Sequence, residues 1–111
     1  MSMFFEDAVL LRLFLSEDDK YEGKPTYKCV VELCKERHIS GATVFRGLLG
    51  YGKSSTLHRG GLFGLSSDLP VVVEIIDKEE NIKGLLPELM NIIKDGVVTM
   101  ERVKVVKRKS V

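Results

Sequence analysis

The sequence has no tryptophan, only three prolines, two cysteines and two histidines in 111 residues, and 17 basic against 16 acidic side chains leave a formal charge of +1. Each shortage removes a class of protein. A balanced charge gives no global attraction to nucleic acid or to an anionic membrane, so neither is expected as a partner. Cys29 and Cys34 lie five apart in a helical pattern. At about 100° per residue they point about 140° apart, too far for a disulfide or a shared metal on one helix face. They read as small hydrophobes in a reducing cytosol. His38 and His58 have no second ligand at a useful spacing, so no metal is expected. No apolar run reaches the roughly 18 residues of a membrane span. The start, Met1-Ser-Met-Phe-Phe followed by Glu6 and Asp7, lacks the basic region of a secretory signal, and a cytoplasmic protein is expected. Ser54, Ser55 and Thr56 offer hydroxyls without a recognisable His/Asp partner, so no catalytic residue is assigned and no enzyme is expected.

What is present is apolar material, 44% of the chain, enough for one two-layer core and a single domain over 1–111. Ala8 to Leu15 is a nearly continuous hydrophobic run, as in a central strand. Pro25 suits a first helical turn, and Tyr27, Val30, Val31, Cys34 and His38 form one amphipathic stripe, with Gly41 beyond it as the expected stop. Ala42 to Leu48 reads as a second strand, and Val71 to Ile76, opened by Pro70, as a third. Asp77 and Glu80 resemble a capping box. Ile82, Leu85, Leu86, Leu89, Met90 and Ile93 give a second stripe, which Pro87 should delay or kink. Asp95-Gly96 is a turn, and Val97 to Val106 a final strand.

The order β-α-β-β-α-β predicts an α+β, ferredoxin-like sandwich: a four-stranded antiparallel sheet with two helices on one face. Leu11, Leu13 and Leu15 alternate with Leu10, Arg12 and Phe14, and Val71, Val73 and Ile75 with Val72, Glu74 and Ile76. Both faces of these strands are thus largely apolar, and helices can cover only one. Self-association through the other face is expected.

One stretch looks built for a ligand. In Gly41-Ala-Thr-Val-Phe-Arg-Gly-Leu-Leu-Gly-Tyr-Gly-Lys-Ser-Ser55, glycines at 47, 50 and 52 leave backbone N–H groups uncovered, and Arg46, Lys53, His58 and Arg59 surround them with positive charge. That combination suits phosphate, although the spacing is neither a Walker A loop nor GxGxxG, and a bulge that only turns the chain would use the same glycines. The loop from about 49 to 68 is longer than a compact domain needs. Arg102 and Lys104 share one face of the last strand with Met100. Two cations there could hold phosphate oxygens or simply keep a sheet edge soluble.

Gly50-Tyr-Gly-Lys53 after a βαβ start resembles the sequence at the base of the T-loop in PII signalling proteins. Gly41 to Gly47, Ser66 to Ile75, Leu86-Pro-Glu-Leu89 and Asp95-Gly-Val-Val-Thr99 are similar to a PII-like branch known as domain of unknown function 190. The resemblance covers nearly the whole chain and includes Pro87. It implies a homotrimer that binds an adenine nucleotide between subunits, with the 49–68 loop as a T-loop and a protein partner, in some relatives a membrane ion exporter. Residue by residue it carries over to Gly50, Gly52, Lys53 and Ser54 at the loop base and to Asp95 and Gly96 in the turn before the last strand. The full glycine-and-lysine pattern of that turn is missing, which favours AMP or ADP over ATP.

The expected binding set is therefore Arg46, Gly47, Gly50, Tyr51, Gly52, Lys53, Ser54, Asp95, Gly96, Arg102 and Lys104, with apolar strand residues beside the adenine. The alternative reading is a ligand-independent interaction module of the same fold, whose glycines serve geometry alone.

Overall fold

A 14-residue strand lies inside the sheet and organises the rest. The computed structural model describes residues 2–52, the backbone of 58–59, and 69–108. Along the chain run β1 (Met3–Ser16), β2 (Lys20–Tyr21), β3 (Lys24–Pro25), α1 (Thr26–Glu36), β4 (Gly41–Arg46), β5 (Leu49–Gly50), β6 (His58–Arg59), β7 (Pro70–Asp77), α2 (Glu79–Ile92) and β8 (Val97–Arg108). The main sheet has the order β4-β7-β1-β8, and each neighbouring pair is antiparallel. This is the expected ferredoxin-like α+β arrangement.

Register sorts the two faces. Leu11 pairs with Ile75, Leu13 with Val73 and Leu15 with Val71, and all six are buried. They pack with Val30, Leu33 and Cys34 of α1 and with Ile82, Leu85 and Leu89 of α2 in one core. Burying each such side chain stabilises the fold by about 1.5–3 kcal/mol. The opposite face carries Phe45, Val72, Phe14 and Val97 in one cross-strand row. No helix covers that row: Phe14, Phe45 and Val97 are exposed. In the adjacent rows Arg12 bonds to Glu74 at 2.9 Å and to Glu101.

Several local expectations are corrected. The helix α1 ends at Glu36, ahead of Gly41. His38 takes a left-handed φ of 57°, its N–H donates to the Lys35 carbonyl, and the Ile39 N–H donates to that of Cys34. These are the two bonds of a Schellman cap, so exposed His38 has a backbone capping role, not a place on the buried stripe. Residues 47 and 48 fall outside β4, while β1 and β8 run longer than their hydrophobic patterns. The polar stretch before α1 holds a small hairpin, β2–β3. Glu22 and Gly23 at its tip have φ of 49° and 80°, as a primed two-residue turn demands.

Helix α2 continues through Pro87 from Glu79. The ring removes a donor for the Lys83 carbonyl, but Lys83 and Pro87 both lie on the exposed side, where water can take that bond. Met90 is also exposed, outside the buried stripe.

The expected capping box is replaced by a different device. Lys78 is the N-cap residue and its side chain makes no cap bond. Asp77, only 6% exposed, accepts from the Lys78 N–H at 2.6 Å, the Asn81 amide at 3.0 Å and the Ser40 N–H at 2.9 Å. One carboxylate thus ties the start of α2 to the entry of β4. Burial pushes its pKa up, but hydrogen bonds from Asn81, Lys78 and Ser40 outweigh that and hold it below the ordinary carboxylate value. A group that titrates lower when folded contributes fully above its unfolded pKa, near 3.9, and loses the contribution as pH falls through the native value. Asp77→Asn should therefore cost about 2 kcal/mol near neutrality. Urea unfolding between pH 3 and 7 should show wild-type stability falling more steeply with acid than the variant's. Parallel acid limbs would place the acid sensitivity elsewhere.

Candidate functional site

The end of the sheet where β4 leaves and β7 begins is drawn tight. The Gly47 N–H donates to the Pro70 carbonyl at 2.7 Å and the Glu17 N–H to that of Leu69 at 2.8 Å. A Cβ on Gly47 would lie 2.8 Å from the Pro70 ring and 3.2 Å from its carbonyl oxygen, so this glycine permits close approach of two chain segments. Immediately beyond, β5 pairs antiparallel with β6, Leu49 opposite Arg59 and Gly50 opposite His58. The base of the long loop is therefore a short ladder standing on the sheet.

On the other side stands the turn into β8. Gly96 has φ of 151°, and a Cβ there would meet the Phe14 carbonyl oxygen at 2.8 Å and Leu15 Cδ2 at 2.9 Å. Only glycine lets this turn sit on the end of β1.

Between the two lies a cleft of about 360 Å³, lined by Phe14, Asp19, Gly47, Leu49, Gly50, Tyr51, Gly52, Pro70, Val72, Asp95, Gly96 and Val97 among others. Its walls are mainly apolar, and a volume of this order suits a small ligand. Phe14, Val72 and Val97 give it a hydrophobic floor against which a flat ring can lie. Asp19 and Asp95 are the charged side chains of its described lining.

Six of the expected residues, Gly47, Gly50, Tyr51, Gly52, Asp95 and Gly96, meet in this cleft although the loop base and the turn are far apart in sequence. Arg46 stands beside it on the helix-side parity, opposite Val71, and its guanidinium pairs with Glu17. Arg102 and Lys104 are not brought in. Arg102 bonds to Glu79 at 3.2 Å and Lys104 to Asp7 at 2.5 Å, five or more residues along β8 from Val97, or about 17 Å and beyond. Arg102 instead lines a second cleft with Asp7, Val9, Lys78 and Glu80. Lys53 and Ser54 lie outside the described residues, as does most of the 49–68 loop. The role of Asp19 was not foreseen: it lies in the early acidic stretch, and only the hairpin that follows β1 carries it to the cleft. Its Oδ2 accepts from the Ser16 N–H at 3.0 Å. Among the described residues no cluster of three His, Cys, Asp or Glu is placed to hold a metal, and no helix is long and apolar enough to cross a membrane.

A ferredoxin-like sheet with a long connection after its second main strand and a cleft at the base of that connection is the fold of solved PII-like proteins. The structure superposes on CPII, a nitrogen regulatory PII-like protein from Thiomonas intermedia K12 bound to ADP, AMP and bicarbonate, with a TM-score of 0.70 at 19% identity, covering 92% of this chain and 91% of that one. The apo form of CPII matches at 0.66 and 16% identity, over 96% of this chain and 100% of that one. Within this class the chain belongs to the DUF190 family, described as "Uncharacterized ACR", whose model matches residues 8–105. A UPF0166 protein of Aquifex aeolicus is 53% identical over 97 residues, 87% of this chain and 91% of that protein. A UPF0166 protein of Methanocaldococcus jannaschii is 43% identical over 89 residues, 80% and 82% of the two chains.

The glycines differ in what packing asks of them. Gly96→Ala should cost about 2 kcal/mol or more through strain and overlap. Gly52 has nothing within 4 Å of its would-be Cβ, so Gly52→Ala should unfold with the wild-type midpoint. Thermal unfolding of both variants checks the pair, and equal losses would contradict this geometry.

Proposed function

We propose that the protein is a PII-like regulator that binds an adenine nucleotide, AMP or ADP, in the loop-base cleft at a subunit interface of a homotrimer, and that binding changes the 49–68 loop presented to a protein partner. The observation that carries the reading is the convergence of Gly50, Tyr51 and Gly52 with Asp95 and Gly96 around an apolar cleft. The CPII complexes with ADP and AMP support it by analogy of fold.

The parts have distinct tasks. The base lies on Phe14, Val72 and Val97, and the phosphate is assigned to the backbone around Gly50 to Ser54. Gly47 serves by close approach, since its N–H is already engaged by Pro70. The described lining contributes carboxylates, so phosphate neutralisation falls to Lys53 and to cations from outside this chain's own cleft. Arg102 and Lys104, at the far end of β8, reach that position when a neighbouring copy donates them. The apolar open sheet face supplies the surface through which copies meet. The protein acts in the cytoplasm, where Cys29 and Cys34 remain thiols. Burial pushes the Cys34 thiol up to about 11, away from reactivity.

A second reading, a ligand-independent interaction module, is favoured by one observation: Arg102 and Lys104 are already paired with Glu79 and Asp7 of their own chain. Calorimetric titration with AMP, ADP and ATP decides. Micromolar binding of AMP or ADP is expected, reduced at least a hundredfold by Gly52→Trp, which fills the cleft while leaving the oligomer intact. No heat for any of the three up to millimolar concentration, with intact oligomer, would leave the interaction module in its place.

A further inference from the structure

The sheet does not end together. β7 pairs with β1 only from Val9 to Ser16, whereas β8 pairs with β1 from Met3 to Phe14. Residues Met3–Ala8 and Val103–Arg108 therefore continue past the end of β7 as a two-stranded ribbon, about 20 Å long at strand rise, on a molecule measuring 52 × 30 × 22 Å. An isolated two-stranded ribbon is marginal in water, yet this one carries Met3 (55% exposed), Phe4 (41%), Phe5 (63%) and Val106 (55%). Strand alternation puts Phe4 on one face and Met3, Phe5 and Val106 on the other, so both faces are apolar.

We infer that this ribbon is a clasp that grips a second copy of the same chain at its loop-base end. The inference rests on the oligomeric reading above and adds the surface that holds it together. Three observations choose the occupant. Charge argues against a polyanion: Lys104 is paired with Asp7 and Lys107 with Glu6 at 3.1 Å, so the ribbon is largely neutralised within itself and calls for an apolar surface. Among the described residues the matching surface lies at the opposite end of the molecule, where Phe45 (51% exposed), Leu48 (89%), Leu49 (60%) and Tyr51 (72%) cluster. Area agrees. Two faces of a ribbon about 20 Å by 10 Å offer about 400 Å² against the roughly 800 Å² per partner of a stable interface. The open sheet face supplies the remainder.

Because the two surfaces differ and sit at opposite ends, the contact is heterologous. Successive copies close a ring, whereas a two-fold dimer would set ribbon against ribbon.

The test places a photoreactive phenylalanine analogue at position 5 of the full chain, with sedimentation velocity of wild type, Phe5→Ser and Met3→Ser beside it. Both side chains lie past the end of β7 and outside the core, so the variants should keep the wild-type circular dichroism. The expected results are an intermolecular cross-link within residues 44–52 of another copy and at least a tenfold weaker association for Phe5→Ser. An oligomeric wild type whose cross-links fall elsewhere, or whose association is unchanged by Phe5→Ser, overturns the clasp and leaves the oligomer standing. A monomeric wild type overturns the oligomeric reading and the clasp with it.

Discussion

Two helices can shield only one face of a four-stranded sheet, and the rest of this molecule is organised around the face they leave. The helix side is closed by Val9, Leu11, Leu13 and Leu15 of β1 and by Val71, Val73 and Ile75 of β7, all buried in one core with α1 and α2. The other side presents the row Phe45, Val72, Phe14 and Val97 with an Arg12–Glu74–Glu101 cluster next to it. An apolar face of this kind is a cost to a solitary chain and an asset to an assembly. The ionic cluster gives it directionality: an apolar surface accepts many partners, but a guanidinium held between two carboxylates must be met by a neighbour that leaves it solvated or compensates it.

The candidate site is a by-product of the same constraint. Its floor is the end of the uncovered face, and its walls are the two connections that cross that end of the sheet. Each connection needs a glycine for reasons of packing, Gly47 against Pro70 and Gly96 against the Phe14 carbonyl. A cleft thus arises where two tight crossings stand side by side, before any ligand is considered. Gly52, where an added Cβ would meet nothing within 4 Å, is the cleft glycine whose identity packing leaves unexplained.

Much of this was legible in the sequence because the signals are periodic. Alternation in Leu10 to Leu15 and Val71 to Ile76 set the strands and their doubly apolar character, and the helical stripes set the covered face. The ferredoxin-like order then follows from element order and handed connections. What was not legible depends on contacts remote in sequence. Acidic Glu6 and Asp7 look like the end of a strand until Lys104 and Lys107 are placed beside them. The end of α1 hangs on His38 adopting a left-handed conformation, which no helix-stop residue announces. Glu22-Gly23 carried the hairpin signal, hidden in a charged stretch. In the candidate site, Gly47, Gly50 and Gly52 stood out by composition and Asp95 and Gly96 only through the resemblance to PII proteins, while Asp19 belonged to a different segment until the chain folded. The resemblance to PII proteins supplied the grouping of the two loops that periodicity alone could not.

The hydrogen bond from Gly47 to Pro70 has one further consequence. It fastens the two stems of the long loop together on the sheet itself, so the chain between them hangs from a closed clip. Closing a longer loop on such a clip costs only about 0.6 kcal/mol per doubling of its length. The intervening sequence is then free to diverge, lengthen or be exchanged for another with little effect on the sheet. Fold stability and the content of that connection are mechanically decoupled, so one scaffold can carry many different segments between the same two stems.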